Sequence, residues 1–167
     1  MTLTEVASLP MTPKELDADW LSDALGTEIE DVRVDDIIWG TATKVFLQID
    51  HARDERDLPR AVCVKGGFDD RLRELGAAND AYRVEARFFG EIGPRLSGVQ
   101  SLPRAFFAGV VPDATQGIVV MEDLRAAGAR FVNHVSRSRP TKSRRGWKSK
   151  PHGTPPPGGR RRGSPRG

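Results

Sequence analysis

Residues Ala61-Val62-Cys63-Val64-Lys65-Gly66-Gly67 form a short apolar run that ends in a lysine and two glycines, which predicts a strand with a lysine at its end. Strand alternation puts Lys65 on the same face as Cys63 and turns the two valines to the other face. The two glycines then end the strand. A lysine placed in this way can hold its ammonium group beside a ligand, although a solvated strand-end lysine is the commoner arrangement.

A glutamate farther along the chain offers a partner for this lysine. Residues 77–92 are predicted to form a helix that ends at Gly93-Pro94, and Glu85 falls within the apolar stripe of that helix. The stripe consists of Ala78, Ala81, Tyr82, Phe88, Phe89 and Ile92. A carboxylate in an apolar stripe is costly unless a cation meets it. We therefore expect Glu85 to pair with Lys65, the alternative being that Glu85 reaches water at the rim of the stripe.

The remaining pattern predicts one more helix and four more strands. Residues 12–25 are typical of a helix with a capping box at Thr12 and Glu15 and a stop at Gly26. The other strands are predicted at residues 32–39, 44–49, 105–111 and 118–121, with Gly40 as a break and a charged turn at 50–60. This order favours an α+β fold, an antiparallel sheet of about five strands with flanking helices.

Charge is distributed unevenly along the chain. The first 124 residues hold all 23 acidic residues and 13 of the 26 basic ones, a net charge of −10, whereas the last 43 residues carry +13. Residues 134–167 contain no Asp or Glu and almost no large aliphatic residues, so they cannot bury enough apolar surface to fold. We therefore expect a folded unit over residues 1–133 and a disordered Arg/Pro/Gly-rich tail over residues 134–167.

The tail has two interpretations. Its composition changes within a few residues of Asn133, and a shift of reading frame in a GC-rich gene would produce such a mixture. Alternatively, the basic tail binds nucleic acid through phosphate contacts, with stacking from Trp147. In either case we expect nonspecific attraction to nucleic acid at low salt.

Composition excludes several classes of site. The lone Cys63 allows no internal disulfide and is expected to be a reduced, buried thiol in a cytoplasmic protein without a secretion signal or membrane span. The three histidines are scattered and favour solvated positions over metal binding: His51, His134 and His152. No Walker A loop, dinucleotide-binding fingerprint, zinc-protease helix or nucleophile elbow is present.

Three segments resemble a known family when they are taken together. Val62-Cys63-Val64-Lys65 resembles the Val-Ala-Ile-Lys strand of protein-kinase-like folds, and Glu85 resembles the helix glutamate that pairs with its lysine. The segment Ile118 to Leu124, which contains Met-Glu-Asp-Leu, resembles the hinge between kinase lobes. Over about residues 30–133 the chain is similar to the N-terminal lobe of the aminoglycoside phosphotransferase and choline/ecdysteroid-kinase-like family.

The resemblance implies ATP as cofactor with Mg²⁺, and a small hydroxylated acceptor. Lys65 would hold the α- and β-phosphates and Glu85 would orient Lys65. Cys63 would lie against adenine, whose edge would be bonded by the carbonyl oxygen of Glu122 and the N–H of Leu124.

The loop over the phosphates would be residues 40–45, including Gly40 and Thr41. This loop departs from the family pattern, because only Gly40 remains of the usual glycines, and an ordinary tight turn is an equally good interpretation.

The family's catalytic residues have no counterpart here. Phosphoryl transfer in this fold needs an aspartate base and an acidic Mg²⁺ ligand after the hinge, and no acidic residue follows Asp123. We therefore expect the nucleotide-binding lobe of a truncated phosphotransferase that is inactive alone, with no catalytic or metal residue of its own. The alternative is a non-catalytic binding protein, whose tail contacts nucleic acid or whose lobe docks on a partner chain.

Overall fold

The computed structural model describes residues 2–53, 59–96 and 102–129. The predicted disorder of residues 134–167 and any nucleic-acid contact made by them lie outside the described residues, as does part of the charged turn at 50–60.

A six-stranded sheet forms the centre of the described unit, and its strand order is β1-β5-β6-β4-β3-β2. The strands are β1 (Thr4–Glu5), β2 (Ile29–Ile38), β3 (Thr43–His51), β4 (Ala61–Gly66), β5 (Ala105–Val110) and β6 (Gly117–Glu122). The predicted α+β class and the five predicted strands are confirmed. The sheet is mixed rather than antiparallel, because β1 pairs with β5 in parallel. A two-residue strand is too short for alternation to reveal it in the sequence.

The helices of the described residues lie between β1 and β2 and between β4 and β5 in the chain. They are α1 (Ala18–Leu25), α2 (Asp70–Ala78), α3 (Ala81–Arg87) and α4 (Gly93–Leu96), with a 3₁₀ turn at Pro13–Glu15 and a π-helical turn at Phe88–Ile92. Within the described ranges, no helix combines the length and the apolar character that crossing a bilayer requires.

The first predicted helix begins later than expected. Thr12 does not cap it: the Oγ1 of Thr12 donates to Glu15 at 3.0 Å within the 3₁₀ turn. Asp17 is the true N-cap, and its Oδ1 accepts the N–H of Trp20 at 2.9 Å. Gly26 ends α1 in the left-handed region with φ of 68°, as predicted. The predicted capping box is wrong, because Thr12 caps no backbone N–H and the Glu15 carboxylate accepts the N–H of Met11 at 2.8 Å instead.

The second predicted helix is divided into shorter pieces. α2 was not predicted, and α3 begins only after Asp80, whose φ of 53° breaks the helical path. At the other end Gly93-Pro94 does not stop the helix, because Gly93 keeps helical angles and proline is tolerated in the first turn of α4. The π-helical turn joins α3 to α4, so the chain remains helical from residue 81 to residue 96.

The sheet has two buried faces. The face that we call the Leu47 face packs under α1 and contains Val45, Leu47, Ile49, Val62, Val64, Ile118 and Val120. The face that we call the Cys63 face packs against Ala86 of α3 and contains Phe46, Cys63, Ala108, Val110, Val119 and Met121. The predicted alternation of β3 and β4 is confirmed, because neighbouring residues of each strand belong to different clusters.

Gln116 fixes three segments that border the sheet. Its side chain is fully buried. The Oε1 atom accepts the N–H groups of Gly67 at 2.9 Å and Gly117 at 3.0 Å, and the Nε2 atom donates to the carbonyl oxygen of Pro10 at 2.8 Å. Because every one of these bonds is buried, Gln116 holds the N-terminal segment, the β4–α2 connection and the β5–β6 hairpin in place.

Candidate functional site

Lys65 and Glu85 form the predicted ion pair. The Nζ atom of Lys65 donates to Oε1 of Glu85, which joins the end of β4 to α3. The side chains keep 21% and 25% of their surface exposed, so the pair lies at the rim of the core. The predicted apolar stripe is therefore only partly buried: Tyr82 is enclosed, whereas Ile92 is 49% exposed. An anionic ligand can reach the ammonium group without unfolding the helix.

Strand register places two rows of side chains on the Cys63 face. Directly opposed residues of antiparallel strands share a face. The first row runs Ile38, Lys44, Lys65, Val119. The second row runs Asp36, Phe46, Cys63, Met121. The two lysines therefore stand side by side in the first row, next to the apolar residues Phe46, Cys63 and Met121 of the second row.

Cys63 lies at the centre of this surface and is a free, buried thiol, as predicted. Burial raises the pKa of the Cys63 thiol to about 11; the charge of Asp123 adds to the increase, and Lys44, Lys65 and Arg125 oppose it. A thiol with a raised pKa stays protonated at neutral pH and is a poor nucleophile. Cys63 therefore contributes a small, uncharged side chain to this face.

Arg125 covers the second row. The centre of its guanidinium group lies 3.4 Å from the ring centroid of Phe46. Three carboxylates hold it there: Asp35 at 2.9 Å, Asp36 at 3.2 Å and Asp123 at 3.1 Å. Asp123 is only 4% exposed and also accepts the backbone N–H of Arg125 at 2.8 Å.

A β-bulge explains how two consecutive aspartates reach one guanidinium group. The pairing of β2 with β3 shifts register between Val34 and Asp36, so Asp35 is the extra residue. Consecutive strand residues normally point to opposite faces, and a bulge changes the direction of a side chain. The local irregularity of β2 therefore aims both carboxylates at Arg125.

The turn between β2 and β3 closes on itself. The Oγ1 atom of Thr43 donates to the carbonyl oxygen of Gly40 at 2.8 Å and accepts the Gly40 N–H at 3.2 Å. Tyr82 of α3 donates from its Oη atom to the carbonyl oxygen of Thr41 at 2.8 Å. The segment is therefore a tight turn in which the Gly40 N–H is already bonded. A phosphate contact by Gly40 or Thr41 stays a prediction and requires this turn to rearrange.

Gly67 and Gly76 make room for the ring of Tyr82, and Gly117 makes room for its Cβ and backbone. A Cβ atom added at Gly67, Gly76 or Gly117 would lie 2.7, 2.4 or 2.9 Å from an atom of Tyr82. Such distances are far inside van der Waals contact. This close fit holds α3 against the sheet, and it therefore helps to keep Glu85 of α3 beside Lys65 of β4.

The two predicted hinge residues follow the sheet directly. Glu122 ends β6, lies opposite Val62, and donates its N–H to the carbonyl oxygen of Arg104 at 2.8 Å. Leu124 begins a turn in which its carbonyl oxygen accepts the N–H of Ala129 at 2.9 Å. Glu122 follows Met121 of the second row in the chain. Their predicted contacts with the adenine edge stay predictions.

The parts of a magnesium nucleotide fit this site unequally. The phosphates fit the end at Lys44 and Lys65, where two ammonium groups adjoin. A planar base fits the apolar centre at Phe46 and Cys63 once Arg125 has moved from the Phe46 ring. The described ranges contain no group of three or more His, Cys, Asp or Glu side chains that could hold a metal ion, whereas Mg²⁺ bound with a nucleotide needs only one or two carboxylates beside the phosphates.

Two important residues of the site were missed at the sequence level. Phe46 could have been identified, because alternation along β3 already placed it on the face of Lys44, opposite Cys63. Arg125 could not be identified, because two of its three carboxylate partners, Asp35 and Asp36, precede it by 90 and 89 residues.

Comparisons of the chain with protein-family models, with curated proteins and with solved structures found no match. The functional conclusion therefore rests on the residues of the Cys63 face and on their geometry.

Proposed function

We propose that the chain binds ATP on the Cys63 face, in the manner of a kinase-like N-terminal lobe. The observation that carries this proposal is the Lys65–Glu85 ion pair, which holds a partly exposed ammonium group at the edge of an apolar sheet face. A nucleotide needs positive charge for its phosphates and a flat apolar surface for its base. On the Cys63 face, the positive charge of Lys44 and Lys65 and the apolar surface of Phe46 and Cys63 lie in adjacent rows.

Each site residue has a distinct part in this proposal. Lys65 binds the phosphates, and Glu85 keeps the Lys65 ammonium group in place by charge and hydrogen bonding. Cys63 and its neighbour on the face, Phe46, contact the base. Glu122 and Leu124 bond the edge of the base through their backbone groups.

The proposed class is a small-molecule phosphotransferase of the aminoglycoside phosphotransferase-like group, which transfers phosphate to a hydroxylated acceptor. The described residues support the nucleotide-binding part alone. No acidic residue follows Asp123 in the sequence, so this chain supplies neither the aspartate base nor the metal ligand expected after the hinge. The proposal for these 167 residues is therefore nucleotide binding.

Calorimetric titration of the full chain with ATP tests the proposal. We expect saturable binding that Lys65→Ala abolishes, because the variant removes the group that meets the phosphates. Lys14→Ala is the matched control, since Lys14 is an exposed lysine in the 3₁₀ turn and should leave binding unchanged. Thermal unfolding of each variant excludes loss of fold as the cause.

The basic tail requires one precaution in this titration. With 13 positive charges after residue 124, the chain attracts polyanions at low salt. Titration at about 0.15 M salt shortens the range of this attraction to about 8 Å. Equal ATP affinity in the wild type and in Lys65→Ala would remove Lys65 from the site and refute the proposal.

Docking on a partner chain is the second candidate function. Three large apolar residues on β2 and directly after it are exposed: Val34 by 52%, Ile38 by 48% and Trp39 by 56%. Grouped exposed apolar residues are typical of an interaction surface. Size-exclusion chromatography at two concentrations tests this candidate. A defined oligomer supports it, and a monomer at both concentrations opposes self-association through these residues.

A further inference from the structure

The position of Arg125 bears on how a ligand enters the site. Its guanidinium group lies 3.4 Å from the Phe46 ring centroid, at stacking distance. Phe46 is only 3% exposed, so a nucleotide base has no room on its ring while the Arg125 guanidinium group covers it. A planar base and a planar guanidinium group therefore compete for one surface.

Resting on the ATP site proposed above, we propose that Arg125 is an internal occupant of the base position, which a nucleotide must displace. The charges at the other end of the Cys63 face do not share this conflict. Lys44 and Lys65 lie in the first row, whereas the ring that Arg125 covers, Phe46, lies in the second row. Phosphate binding and base binding are thus separable, and Arg125 opposes only the second.

The anchors of Arg125 permit its displacement. Asp35 and Asp36 are 51% and 52% exposed, and ion pairs with exposed partners are weak and screened by salt. Asp123 is the buried anchor, yet it retains the backbone N–H of Arg125 as a hydrogen-bond donor. Arg125 also belongs to the turn that follows β6 rather than to a strand. The side chain can therefore leave the ring while the backbone stays in place.

The test compares three ligands across matched variants of the full chain. The ligands are ATP, adenosine and inorganic tripolyphosphate, each titrated by calorimetry. The variants are Arg125→Ala, Arg125→Lys and Arg104→Ala. Arg104 is the control because its guanidinium group lies over another ring, that of Phe106, at 5.1 Å and outside the Cys63 face. Arg125→Lys keeps the charge that Asp123 needs but lacks the planar group that covers the ring, and it serves if Arg125→Ala fails to fold.

We expect Arg125→Ala to tighten ATP and adenosine by about tenfold, the size of a partly desolvated cation–π contact. Tripolyphosphate should bind no more tightly, because it does not need the ring, and Arg104→Ala should resemble the wild type. Arg125→Lys should tighten adenosine by a smaller factor. If Arg125→Ala binds adenosine and the wild type does not, that result also supports the inference.

Two results would overturn the inference, one by removing Arg125 from the base position and the other by removing the nucleotide site itself. If the wild type binds ATP and both Arg125 variants bind adenosine no more tightly, Arg125 does not occupy the base position. If no variant binds ATP, including Arg125→Ala, the nucleotide site itself is wrong and the inference falls with it.

Discussion

Tyr82 donates a hydrogen bond from its hydroxyl group to the carbonyl oxygen of Thr41, 2.8 Å away, and so ties α3 to the turn between β2 and β3. Glu85, one turn later on α3, pairs with Lys65. One helix therefore positions both the lysine and the turn beside it. Burial raises the pKa of Tyr82, with Arg73 opposing and Asp69 adding to the shift, so the hydroxyl group remains a donor at neutral pH.

Tyr82→Phe should weaken ATP binding severalfold while keeping the fold. The ring still fills its pocket, but the turn loses its tie to α3. One lost hydrogen bond lowers the free energy of unfolding by about 1 kcal/mol. Calorimetry and chemical denaturation measure the two effects. If ATP binding is unchanged although stability falls, the hydrogen bond from Tyr82 to Thr41 stabilises the fold but does not contribute to the nucleotide site.

Gly76→Ala should destabilise the protein by about 1–3 kcal/mol or more, because the new Cβ would lie 2.4 Å from the hydroxyl oxygen of Tyr82. Gly40→Ala is the matched control. A Cβ at Gly40 meets no atom within 4 Å, and its φ is not in the left-handed region. Urea denaturation of both variants gives the comparison, and equal stability would show that the Tyr82 pocket is not closely packed.

Cys63 should react slowly with thiol reagents. Its pKa is raised from 9.0 to about 11, so at pH 8 the thiolate fraction is about 100-fold lower than in an unfolded chain. Reaction with a chromogenic disulfide in native and urea-denatured protein measures the ratio. A native rate equal to the denatured rate would contradict the burial of this thiol.

The same pKa shift predicts how stability depends on pH. The folded chain holds the thiol proton more tightly than the unfolded chain, so this contribution is complete below pH 9 and is lost as pH rises toward 11. Cys63→Ala should therefore lose less stability than the wild type between pH 8 and pH 10. Denaturation at both pH values provides the measurement, and parallel losses in the two proteins would refute it.

Gln116→Leu should cost more than about 3 kcal/mol, since it leaves the N–H groups of Gly67 and Gly117 and the carbonyl oxygen of Pro10 without the partner that Gln116 provides. Gln48→Leu is the same substitution at a half-buried position of β3 and should have a small effect. Thermal unfolding distinguishes the two. Similar stabilities would show that Gln116 does not hold the three segments together.

Local patterns predicted the parts of the fold that depend on neighbouring residues. Alternation along β3 and β4 correctly separated Leu47 and Val64 from Phe46 and Cys63. The ion pair of Lys65 with Glu85 was predicted because a carboxylate in an apolar stripe needs a nearby cation.

Contacts between distant segments could not be predicted in the same way. The pocket of Tyr82 depends on glycines 67, 76 and 117, which meet only in the folded chain. The bulge at Asp35 has no mark in the sequence, and Arg125 reaches it from 90 residues away. α2 was missed because its apolar content is low and its C-terminal half lies against Tyr82, a tertiary contact.

The most direct test of the nucleotide site is to map ATP binding by amide chemical shifts in the full chain. Shift changes should concentrate on residues 38–46, 62–65 and 119–125, which form the Cys63 face and its border, and Lys65→Ala should remove them. Residues 18–25 of α1, on the Leu47 face, should not respond. Shift changes confined to α1 or to residues 134–167, or changes that persist in Lys65→Ala, would contradict a nucleotide site on the Cys63 face.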